Sequence, residues 1–272
     1  MLIRDPVHGD IELTKEEAAV LDCRTMQRLR RIKQLGAAHL VYPGALHTRF
    51  DHCLGTLYAA SKILASLARS GFRVRRDDVR LVRMAALVHD VSHIPFGHTF
   101  EDERKVFPRH DAPARLARFV REGELGEALD RIGLREAVFE LLARPEDWRG
   151  QIVSGTLDAD LLDYLRRDSY FTGLSQEYDD RIFTYFCVEE GRLAVDLTKR
   201  GLERHDAWSE IVHLLRMRYF LTERVYFHHA KVIAGAMISK GLELAVERGL
   251  VEEELYDKGD EELLSYLAEQ GV

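Results

Sequence analysis

Cysteine is scarce in this chain. Three occur in 272 residues, Cys23, Cys53 and Cys187, and no two form a CxxC pair. That spacing argues against a disulfide framework and fits a reducing cytoplasm. No uninterrupted apolar run approaches membrane length, and the opening Met1-Leu2-Ile3-Arg4-Asp5 has no apolar signal core. A membrane partner is therefore not expected. Positive charge is not in excess either: the net charge is −7. Bulk attraction to nucleic acid is not expected, although local basic patches remain allowed. Internal repeats, low-complexity segments and clear linkers are all missing.

What is present is ordinary for a globular protein, with 46% hydrophobic and 31% charged residues. The length suits one large domain or two small ones. The most informative stretch runs from Met84 to His98. Ala85 to Val88 reads as the end of a buried helix, and Pro95 stops it. His89, Asp90, His93 and His98 then follow within ten residues. A lone His-Asp doublet there would read as a core helix end. Several such groups emerging together from a core helix need mutual pairing or a metal ion, because burying them alone is costly.

Taken in order, Asp5 to Asp10 is a turn-like lead-in. Thr14 and Glu17 form a capping box for a short helix through Leu21. Thr25 caps a helix over 26–35, ended by Gly36. Its cations Arg28, Arg30, Arg31 and Lys33 fit a solvated face as well as an anion site. Residues 39–43 read as extended. Thr48 caps a long helix from Arg49 to about Arg69, with His52 in its first turn. Asp77 caps the helix that ends at the doublet, and His110-Asp111 opens another segment. Three weaker helices reach Arg144, and 145–150 is a break. Asp158 starts a helix to about Phe171 on which Asp160, Tyr164 and Asp168 share a face. Glu190-Gly191 turns a β-hairpin over 188–195, expected to be the only strand pair of note. Helices over 207–227, 229–248 and 260–269 complete the chain. The expectation is a mainly α protein, one domain over 1–272 with a lesser C-terminal helical subdomain from about 180.

His89 and Asp90 can share an ion at the helix end, His52 can face them, and Asp160 can complete the set from a third helix. A mixed imidazole and carboxylate set suits a divalent ion such as Mn, Fe, Co, Ni or Zn, with Mg also open. Such an ion polarises a phosphoryl oxygen and acidifies water, and nearby histidines can serve as acid or base.

Four stretches then occur in order: Asp5-Pro6-Val7-His8-Gly9, residues Gln27 to Gly36, Arg49-Phe50-Asp51-His52-Cys53-Leu54-Gly55, and His89 to His98. With residues 158–168 they resemble the dNTP triphosphohydrolases of the HD superfamily, over about residues 5 to 240. The resemblance implies a helical HD fold, to which the hairpin over 188–195 adds one small strand pair. It implies cleavage of a dNTP to deoxynucleoside and triphosphate, with His52, His89, Asp90 and Asp160 as metal ligands. It puts His93, His98 with Glu101, and His110 with Asp111 around the reacting phosphate, His98 protonating the leaving 5′ oxygen. Arg49, Tyr164 and Arg218 would hold phosphates, Gln34 and Asp168 the sugar hydroxyl, and Leu35 and Tyr226 would pack near sugar and base. Asp22, Gln27 and Arg30 match residues that read a nucleotide effector between subunits, so a homo-oligomer is expected. Two departures stand out: Leu161 replaces a Lys after the metal Asp, and Phe227 replaces a base-reading Gln. The alternatives are an HD enzyme or phosphodiesterase acting on other nucleotides, and a nucleotide-binding module without turnover.

Overall fold

The computed structural model describes residues 1–103, 105–199 and 201–272. It is mainly helical, as expected. The lead-in is a hairpin rather than a bare turn: β1 (Leu2–Asp5) pairs antiparallel with β2 (Gly9–Glu12). The Asp5 carboxylate accepts from the Val7 and His8 amides and shapes the turn. Four-residue strands interrupted by Pro6 carry little periodic signal, so this pair was not legible in the sequence.

Helix α1 (Lys15–Leu21) has the Thr14–Glu17 capping box. The next helix departs from expectation. α2 spans only Arg24–Gln27, tightens to a 3-10 turn over Arg28–Arg31, and is extended by Ile32. The reason is tertiary. Leu29 and Ile32 are buried, and buried Arg28 donates to the Val91 carbonyl at 2.8 Å. Lys33 then bridges to Thr48, and its amide donates to Asp260. Residues Gly36–Leu40 form a 3-10 helix where extended chain was expected, entered through Gly36 at φ +53°.

α3 (Arg49–Arg69) starts at the Thr48–Asp51 capping box. Leu54, Leu57, Ala59 and Ile63 point to different sides of it and all are buried, so this helix is central. α4 (Arg76–Val88) packs beside it and ends at His89. Its cap is Arg75 with Asp78 three residues on, and the expected cap Asp77 lies in the first turn. α5 (Pro113–Val120), α6 (Gly123–Arg131) and α7 (Arg135–Ala143) are the three small helices expected, and α8 (Trp148–Val153) occupies the supposed break. α9 (Ala159–Thr172) is capped by Asp158 and closed by Gly173 at φ +71°. It crosses α3 at Gly55, where a Cβ would lie 1.8 Å from the Asp163 carboxylate. Only glycine admits that approach.

The expected hairpin is present as β3 (Phe186–Glu189) and β4 (Arg192–Val195), turned by Glu190 and Gly191 at positive φ. A third pair, β5 (Thr198–Lys199) with β6 (Leu202–Glu203), is too short to signal itself. α10 (His205–Leu221), α11 (His229–Glu247) and α12 (Asp260–Glu269) follow. A second, smaller core joins Ile94, Phe96 and Phe100 to Leu242, Leu255 and Leu263. It pins the segment after the His-Asp doublet against the C-terminal helices. Among the described residues no helix is long and apolar enough to cross a membrane.

Candidate active site

The first turn of α3, the end of α4 and the first turn of α9 meet at one point. There the Nε2 atoms of His52 and His89 are 3.3 Å apart. Asp160 lies 2.8 Å from His52 Nε2 and 3.8 Å from His89 Nε2. Asp90 lies 3.5 Å from His89 Nε2 and 3.9 Å from His52 Nε2. Each histidine is fixed from behind. Asp163 takes His52 Nδ1 at 2.7 Å, and the Ala86 carbonyl takes His89 Nδ1 at 2.9 Å. Both Nε2 atoms therefore face the same space as the carboxylates.

The electrostatics ask for a cation. Burial opposes a charged His52, yet the Asp160 and Asp163 carboxylates lift its imidazole up to about 10. Burial likewise opposes charge on His89, and Asp90 and Asp160 raise it all the same. Burial would raise the Asp90 and Asp160 carboxyls, but Arg49 and the histidines hold them low. Two imidazole nitrogens and two carboxylates facing one space make a site that suits a divalent cation. His52, His89 and Asp90 bring ligand atoms within 4.8 Å of one another, and this donor set fits a divalent ion.

A second histidine group lies beside the first. His93 stacks on His110 with ring centroids 3.6 Å apart, and His98 stands edge-on to both. Glu101 serves more than one partner. Its carboxylate bonds His110 Nδ1 at 2.9 Å and Arg115 at 2.8 Å, and is 3.8 Å from His98 Nδ1. Burial would raise the Glu101 carboxyl, but the His110 bond lowers it. Burial, with Arg49 and His110 nearby, pushes His93 well down, so it stays neutral. Asp111 is tied to Arg109 at the rim.

A cavity of about 710 Å³ opens onto both groups. It is lined by His52, His89, Asp90 and Asp160, and by His98, His110 and Asp111. Gln34, Leu35, Arg49, Tyr164, Asp168, Arg218 and Tyr226 also line it. His93 and Glu101 lie buried behind this lining. Arg49 bonds Asp90 at 2.6 Å. Gln34 and Leu35 arrive on a turn rather than a helix, because the helix ends before them. Asp22, Gln27 and Arg30 are outside the cavity. Asp22 ends α1, while Arg30 bonds Gln27 at 2.9 Å and covers the Phe50 ring at 3.6 Å.

Several residues at the site had no assigned role in the sequence reading. Asp163, His8, Arg167 and Asp5 form a buried network behind His52. His47 holds Asp168 at 2.8 Å. Asp158 lines the cavity, and burial, then the Asp160 charge, pushes its carboxyl up to about 7. Arg109 and Lys231 add cations to the wall, beside Lys33 from the cationic stretch already noted. The Asp163–Arg167 spacing of four was the one local signal for the network.

This helical cluster of His, His-Asp and Asp defines a class. Residues 49–168 match the HD domain, the fold of a superfamily of metal-dependent phosphohydrolases. The chain is similar to HD-domain proteins, among them uncharacterized ones and deoxynucleoside triphosphate triphosphohydrolases. An uncharacterized protein of Methanocaldococcus jannaschii is 35% identical over 274 residues, covering 98% of this chain and 54% of that one. The deoxynucleoside triphosphate triphosphohydrolase SAMHD1 of Homo sapiens is 28% identical over 274 residues, covering 88% and 43%. The crystal structure of a hypothetical protein from Aquifex aeolicus superposes with a TM-score of 0.83 at 29% identity, covering 98% of this chain and 71% of that one. The chain spans about half the length of the curated relatives it matches.

Proposed function

We propose that the chain hydrolyses deoxynucleoside triphosphates to deoxynucleoside and inorganic triphosphate. One observation carries this reading: a single cavity joins the His52–His89–Asp90–Asp160 group, the His98–His110–Glu101 group and the Asp168–Tyr226 pair. Its volume suits a nucleotide-sized ligand. Relatives named as deoxynucleoside triphosphate triphosphohydrolases support the choice of substrate.

His52, His89, Asp90 and Asp160 would hold a divalent ion. When bound, it supplies Lewis-acid polarisation of a phosphoryl oxygen. The chain's own residues do the rest. His98 has its side chain 51% exposed, and it donates a proton to the leaving 5′ oxygen. Glu101 is shared between His98 and His110. Catalytic hydrogen bonds are often long before substrate binds, so 3.8 Å does not remove Glu101 from His98. His93, with its pKa depressed, stays neutral beside them, and Asp111 holds Arg109 at the rim. Arg49, Tyr164 and Arg218 hold phosphates. Gln34 and Asp168 take the sugar hydroxyl, and Leu35 and Tyr226 pack on sugar and base. Leu161 offers no charge, and Lys33, Arg109 and Lys231 on the same wall make up the cationic grip. Residues 180–272 act as a subdomain that closes one side of the cavity through Arg218, Tyr226, Phe227 and Lys231. The protein works as a homo-oligomer, with Asp22, Gln27 and Arg30 as the place for a nucleotide effector.

The test is a screen of divalent ions against each dNTP, with chromatography of every product. Triphosphate as the released unit supports the reading. Orthophosphate from the same substrate favours another phosphohydrolase, and binding without product favours a regulatory module.

A further inference from the structure

The metal-site histidine His52 is not held by the HD segment alone. Its Nδ1 contacts Asp163 Oδ2 at 2.7 Å, and the other oxygen of Asp163 contacts His8 Nε2 at 2.6 Å. His8 sits in the turn between β1 and β2, outside the matched residues 49–168. The side chains of His8 and Asp163 are both 0% exposed. Arg167 donates to both Asp163 oxygens at 2.9 and 3.0 Å and to Asp5 at 2.9 Å. Asp5 in turn accepts the His8 amide at 2.7 Å, so the turn is locked to the same network. The His8 ring stacks on Tyr58 at 4.6 Å.

We propose that His8 is a positioning residue for the metal ligand His52, acting through Asp163. A carboxylate on Nδ1 fixes the tautomer and ring angle of a metal-binding histidine, leaving Nε2 for the ion. That works only if the carboxylate is itself held. Arg167 supplies the countercharge, and His8 supplies a donor to Oδ1, the oxygen that His52 does not use. Gly55 permits the arrangement, since a Cβ there would overlap Asp163 and Arg167. The N-terminal hairpin is thus part of the metal centre.

The inference rests on the metal reading given above, and Mn²⁺ titration calorimetry on the full chain separates the two. The wild type should bind one equivalent, and the double variant His89→Ala with Asp90→Ala should bind none. His8→Phe keeps a ring against Tyr58 but removes the donor; its Mn²⁺ affinity should fall roughly 10- to 100-fold. His8→Gln retains an N–H donor and should recover most of that loss. Melting of the metal-free proteins is followed alongside, and His8→Gln should regain affinity whatever its melting temperature. Wild-type affinity in His8→Phe would overturn the positioning role. So would losses in both His8 variants that merely track metal-free stability. A wild type that takes up no Mn²⁺ would overturn the metal reading itself, and the role of His8 with it.

Discussion

The Tyr226 hydroxyl donates to Asp168 at 2.7 Å and ties the segment after α10 to α9 across the cavity. His47 holds the other Asp168 oxygen at 2.8 Å. Burial, then the Asp168 charge, pushes the Tyr226 hydroxyl well above its usual pKa, so it remains a donor. A buried carboxylate held this rigidly discriminates strongly for a ligand hydroxyl, because its pairing is costly to disrupt. Asp168→Ala is expected to shrink the preference for a dNTP over its 3′-deoxy analogue by roughly ten- to a hundred-fold in kcat/KM. Tyr226→Phe should act in the same direction and less. An unchanged ratio would remove Asp168 from the sugar end.

What the sequence made legible was local. The Thr14–Glu17 box, the Thr48 and Asp158 caps, and the Glu190-Gly191 turn all involve near neighbours, and each appears where expected. What it hid was set by distant partners. The helix expected over 26–35 unwinds because Arg28 finds the Val91 carbonyl 63 residues away. His8 meets Asp163 across 155 residues, which no spacing rule anticipates. The spacing of His98 and Glu101 did not signal that Glu101 also bonds His110. A separation of three suits an α-helical turn, but Thr99–Glu103 is a π-helix. There Glu101 lies 2.9 Å from His110 Nδ1 and 3.8 Å from His98 Nδ1.

That geometry bears on the proton donor. His98→Ala should lower kcat by roughly two to four orders of magnitude with metal still bound, the usual worth of a general acid. His110→Ala should cost less, because His98 keeps its place on the cavity. Single-turnover rates with metal content measured in parallel decide it. A larger loss in His110→Ala would move the acid to the histidine that Glu101 already bonds.

α10 turns Trp208, Val212, Leu215 and Tyr219 outward, 47%, 42%, 55% and 68% exposed. Their spacing of four, three and four makes one apolar seam. An antiparallel second copy would set Trp208 against Tyr219 and Val212 against Leu215. Such a contact closes with two-fold symmetry. Leu215→Glu is expected to convert a dimer or larger assembly to a smaller one in sedimentation velocity. An identical mass for both proteins would show that this seam is not the interface.

Asp260 ties α12 to the cavity rim, accepting the Lys33 amide at 2.8 Å and the Phe96 amide at 3.1 Å. Burial raises its carboxyl above the ordinary 3.8, and the amides and Lys33 offset only part of that. The sign follows from linkage. A carboxyl raised on folding contributes stability fully below its unfolded pKa and loses it as pH climbs through the folded value. Wild type should therefore gain on Asp260→Asn as pH is lowered toward 3.8, and lose ground as pH rises above the raised value. Thermal melts of both proteins at intervals from pH 4 to 8 read this directly. The melting difference, wild type minus variant, should become more positive toward the acid end. A constant difference would mean that the Asp260 proton is bound equally in the folded and unfolded chains, and that burial there is balanced by its hydrogen bonds.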